Sequence, residues 1–108
     1  MQSGDLFRVP LGDGRFGAGR VLGVDGDVVA VALCGAVWDC APGELDVQQT
    51  PVAVAHLPVR IAGTVDAEVV GREAPGAPEG DYAAWLAAAE RPVVDAPLAV
   101  LVGALIDL

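Results

Sequence analysis

The chain of 108 residues has no lysine and no asparagine, and its six arginines face 15 acidic residues. So little positive charge cannot build the broad basic face that neutralises phosphates, which argues against direct nucleic-acid binding. There are only two cysteines, Cys34 and Cys40. Their spacing is not that of a zinc knuckle and there is no second pair, so no metal is expected. Two reduced thiols are expected, with Cys34 buried. No apolar run approaches the roughly 20 residues that span a bilayer, so no membrane association is expected. The opening Met1-Gln2-Ser3-Gly4-Asp5 lacks a basic stretch followed by an apolar one. No export signal is read there, and a cytoplasmic location is expected.

What is present is apolar and acidic. Hydrophobic residues make up 54% of the chain in short runs, and the formal net charge is −9. The length suits one domain over residues 1–108. An acidic surface favours a basic partner, since complementary fields speed encounter and set register, although charge also serves solubility alone.

The apolar pattern is mostly that of strands. Asp5 to Leu11 reads as a first strand, with Leu6, Arg8 and Pro10 facing one way and Phe7, Val9 and Leu11 the other. Gly12-Asp13-Gly14-Arg15 is a turn. A glycine-rich second strand runs from Phe16 to Val24, where the glycines signal a bulge or a close approach of backbone. Asp25-Gly26 is a tight hairpin signal, and a third strand runs from Asp27 to about Val37. Asp39 to Pro51 reads as an exposed connection with one short helical turn. Val52 to Leu57 is a fourth strand, which Pro58 does not continue comfortably, and Thr64 to Val70 a fifth. Asp81 to Arg91 is a helix, with Tyr82, Trp85, Leu86 and Ala89 on one stripe. Leu98 to Leu108 reads as a final buried strand. The expected fold is mostly β (α+β): a small curled antiparallel sheet or a partly open SH3-like barrel, with one helix in the C-terminal half.

No motif carries clear chemistry. Gly12 to Gly17 matches GxGxxG, but hairpin residues follow where a dinucleotide site needs a helix. His56 is the single histidine. It lies in an apolar strand with no placed partner, although a hydrolase pairing it with Cys40 is conceivable. Trp85 is read as core, and Trp38 as core before interface anchor. No catalytic residue and no cofactor is expected, and the chain is read as a binding protein rather than an enzyme.

The stretch from Gly4-Asp5-Leu6-Phe7-Arg8-Val9-Pro10-Leu11 through Gly14-Arg15-Phe16-Gly17-Ala18-Gly19-Arg20-Val21-Leu22 resembles the opening of a bacterial immunity-protein family, immunity protein 26. Weaker similarity continues through Pro51 to Ala55 and Val69 to Gly71. The resemblance implies a non-catalytic protein of a polymorphic toxin system that binds and neutralises a cognate toxin domain. Asp13, Asp25, Asp27, Asp39, Glu44 and Asp46, all at turns or in the central connection, are the candidate contacts to a toxin with a basic surface. The alternative is a generic SH3-like interaction or regulatory module with no toxin partner.

Overall fold

The computed structural model describes residues 1–106. Five strands form one open antiparallel sheet: β1 (Asp5–Pro10), β2 (Phe16–Asp25), β3 (Val28–Cys34), β4 (Val52–Arg60) and β5 (Glu68–Arg72). Their order is β4-β3-β2-β1-β5, a four-stranded meander whose fifth strand returns beside the first. Among the described residues there are also three helices, α1 (Glu44–Gln49), α2 (Gly80–Ala87) and α3 (Leu98–Ile106), with a 3₁₀ turn at Ile61–Thr64. The expected class, mostly β with an open antiparallel sheet, is the one observed. No helix among the described residues is long and apolar enough to cross a membrane.

The alternation in β1 and β3 divides the interior into two faces. Phe7 and Val9 of β1, Val21 of β2, and Val29, Val31 and Leu33 of β3 point to one face, where Leu98 and Val102 of α3 cover them. The opposite face carries two smaller clusters. Leu6, Ala18 and Cys34 pack around Val47 of α1. Val28 and Ala30 pack against Tyr82 and Trp85 of α2. Glycines in β2 admit bulkier neighbours. A Cβ at Gly19 would fall on the Phe7 ring and the Ala32 carbonyl, and one at Gly23 on the Tyr82 hydroxyl. The β2–β3 ladder also shifts register between Val21 and Gly23, so both the bulge and the close approach occur.

Several boundaries differ from the sequence reading. The residues from Leu98 form a helix and not a strand; the expected strand's last two residues, Asp107 and Leu108, lie outside the described residues. A continuous apolar run does not separate the two structures. Here Leu98, Val102 and Leu105 fall at i, i+4 and i+7 on the core side, and Pro97 stands where the helix begins and accepts from the Val100 and Leu101 amides. The C-terminal half therefore holds two helices rather than one.

The third strand stops at Cys34, and the fifth begins at Glu68 after the 3₁₀ turn. The helix expected to reach Arg91 stops at Ala87. Arg91 instead folds back, donating to the Leu86 carbonyl at 2.6 Å. Pro58 does not end β4, because β4 is an edge strand. The Pro58 carbonyl accepts from the Val94 amide at 2.8 Å on the outer side. Backbone N and C=O of one strand residue point the same way, so the missing N–H also faces outward and no ladder bond is lost.

Candidate functional site

The two turns preceding and following β2 lie at opposite ends of the sheet. The β1–β2 turn holds Asp13, and the β2–β3 hairpin holds Asp25 and Asp27. The ten residues of β2 separate them by roughly 30 Å at the usual strand rise. The β3–β4 connection, with Asp39, Glu44 and Asp46, belongs to the Asp13 end. Trp38 pairs there with Phe16 through two backbone hydrogen bonds of 2.8 and 3.0 Å. The six candidate carboxylates thus form no single patch.

Their partners divide them further. Asp25 binds Arg91 at 2.5 Å and Asp27 binds Arg60 at 2.8 Å, fastening the hairpin to the segment after α2 and to the end of β4. Asp13 binds Arg15 of its own turn at 2.6 Å. The Arg15 guanidinium beside it holds the Asp13 carboxyl below the usual carboxylate range. Asp46 reaches back to the Gly43 amide at 2.9 Å and caps α1. Glu44 lies over Gly71, whose missing side chain leaves room for it. Asp39 is exposed.

Each of the six arginines forms an ion pair with a carboxylate: Arg8 with Glu68, Arg20 with Glu73, Arg72 with Asp5, and the three pairs above. The net charge of −9 therefore resides on carboxylates outside these pairs. Asp39, Glu44 and Asp46 belong to that group and share one connection.

Two arginines hold this connection to the sheet. Arg8 donates to the Pro42 carbonyl at 3.0 Å, just before α1. Arg20 donates to the Val47 carbonyl at 3.4 Å, in the last turn of the helix, where the Thr50 amide also reaches the same carbonyl at 3.3 Å. Cys34 also points its thiol at this carbonyl, at 3.9 Å. Burial pushes the Cys34 thiol up, with Arg20 opposing. Val47 is fully buried beneath the helix, and Leu45 on the other side is 62% exposed between Glu44 and Asp46. The geometry presents an apolar side chain among carboxylates on a short helix pinned at both ends. Sequence reasoning missed Leu45. The signal was there: residues two apart on a helix lie on nearly opposite sides, so Leu45 and Val47 cannot both be buried.

His56 is occupied elsewhere. Its ring lies 5.6 Å from that of Tyr82 and 5.9 Å from that of Trp85, and its Nε2 is buried without a hydrogen-bond partner. Burial lowers its pKa, with the Asp81 charge opposing. No hydrogen bond among the described residues joins it to Cys40, which is exposed in the β3–β4 connection. Trp85 donates its indole N–H to the Pro92 carbonyl at 2.8 Å and is core, while Trp38 is half-buried against the Val47 cluster. Both thiols are free. Phe16 and Gly17, at the end of the GxGxxG match, begin β2, so no helix N-terminus follows the glycines.

Scans of the chain against protein-family models, curated proteins and solved structures returned no match.

Proposed function

We propose that this chain is a non-catalytic immunity protein that binds a cognate toxin domain through the β3–β4 connection. The observation that carries the proposal is the placement of exposed Leu45 between Glu44 and Asp46, with Asp39 in the same connection and the helix anchored by Arg8 and Arg20. Interfaces draw most of their affinity from a few desolvated anchors inside a polar rim. An exposed apolar anchor with acidic neighbours in the chain suits a toxin whose substrate groove is basic, since the charges steer encounter and the apolar side chain slows release. Preorganisation by the two arginines reduces the ordering cost of binding. The sequence resemblance to immunity protein 26 supports the same reading.

The reading is tested by binding of the toxin domain encoded beside this chain's gene. Asp39→Lys, Glu44→Lys and Leu45→Glu should each weaken binding by about tenfold or more, with the charge reversals acting mainly on the association rate. Asp25→Asn and Asp27→Asn should leave it nearly unchanged. Equal loss from both sets would remove the connection from the interface. Failure of any neighbouring toxin to bind would favour the alternative, a generic interaction module with no toxin partner.

A further inference from the structure

We propose that an apolar cleft at the same end of the sheet receives an aromatic side chain of a basic protein partner, a proposal that rests on the binding role above. The cleft has a volume of about 370 Å³. It is lined by the chain from Cys34 to Val37, by Ala53 of β4, and by Val102 and Leu105 of α3. None of these residues is charged, and most are small. An enclosed apolar cavity of about 150 Å³ holds benzene, so this open cleft has room for an indole or phenyl ring. Aromatic anchors seated in pockets are the usual source of interface affinity.

Two observations favour a basic partner over a second copy of this chain. First, the lip of the cleft at Val37 runs through Trp38 into exposed Asp39, and the arginine of the neighbouring turn is engaged by Asp13. A second copy would bring its own charge of −9 to this acidic end, whereas a basic protein matches it. Second, the adjoining edge of β4 is poorly suited to pairing with its own kind. Its ladder with β3 shifts register twice around Leu33, and beyond Leu57 it is covered by Val94.

The probes are three blocked tripeptides, Arg-Trp-Arg, Arg-Ser-Arg and Glu-Trp-Glu, titrated into the ¹⁵N-labelled protein. Arg-Trp-Arg should produce saturable amide shifts at Gly35, Ala36, Val37 and Ala53, and each of the other two should bind about tenfold more weakly or less. Ala53→Trp should fill the cleft and abolish these shifts, while Val65→Trp, at a position 77% exposed, should preserve them. Should Ala53→Trp fail to fold, Ala36→Leu narrows the same cleft. Absence of saturable shifts at these residues, shifts centred elsewhere, or equal binding of Glu-Trp-Glu would overturn the proposal. These outcomes are independent of the toxin-binding measurement, so failure of the cleft and failure of the immunity reading are told apart.

Discussion

The Phe7 ring lies against the bare Cα of Gly19, in the cross-strand pair that joins β1 to β2. The Ala32 carbonyl closes the other side of the same position. A methyl group added there meets backbone as well as the ring, so neither neighbour can move aside alone. Gly19→Ala should therefore destabilise the fold by about 1–3 kcal/mol, the usual cost of overpacking a core. Urea unfolding checks this. An unchanged midpoint would show that the sheet opens to admit a side chain.

The anchoring of α1 can be tested separately from its surface. Val47 is fully buried among Leu6, Ala18 and Cys34. Val47→Ala removes two methyl groups and leaves a void, costing about 2 kcal/mol. Arg20→Met removes the donor to the Val47 carbonyl and the Glu73 ion pair. Hydrogen exchange in α1 should accelerate in both variants while the β2–β3 ladder stays protected.

Stability should fall at both ends of the pH range. The His56 pKa is lowered in the fold by burial, against an ordinary value of 6.5. The unfolded chain then takes up a proton more readily than the folded one. The His56 contribution is complete above about pH 6.5 and is lost as pH falls through the lowered folded value. Burial raises the Cys34 thiol and the Tyr82 hydroxyl, so their contributions are complete below their ordinary values of 9.0 and 10.0 and are lost as pH rises. Urea midpoints measured from pH 5.5 to 7.5 should rise with pH, and His56→Phe should flatten that slope. A slope of equal size in the variant would assign it to other groups.

Both sheet edges are blunted. β4 carries the register shifts, Pro58 and the Val94 cover, and β5 is a five-residue strand bearing Glu68 and Arg72. Charge, shortness and irregularity are the usual protections against edge pairing. The protein should therefore sediment as a monomer at micromolar concentration. A stable dimer, broken by a lysine at Ala55, would show that the β4 edge is open after all.

The N-terminal half of the fold was legible because its signals are local. Asp25-Gly26 between two valine-rich runs dictates a hairpin, and the alternation of Leu6 and Arg8 against Phe7 and Val9 assigns each residue its face. The stretch from Leu98 was misread because a run with no polar residue hides its period. The candidate site was legible in part. Asp39, Glu44 and Asp46 belong to one connection, between β3 and β4, in the sequence and in the fold. Asp25 and Asp27 carry the same charge, but their arginines lie 66 and 33 residues away. No local pattern reveals a partner at that distance, so the ion-paired carboxylates of the hairpin could not be told from those of the β3–β4 connection before the fold was known.

The proposed activity is neutralisation of a cognate toxin. The most direct test co-expresses the toxin domain encoded beside this gene with the intact protein in a bacterial host and counts survivors. Wild-type protein should restore growth, Asp25→Asn should restore it equally, and a variant carrying Asp39→Lys, Glu44→Lys and Leu45→Glu should fail while remaining folded. Toxicity undiminished by the wild-type protein, or full rescue by the triple variant, would contradict the account.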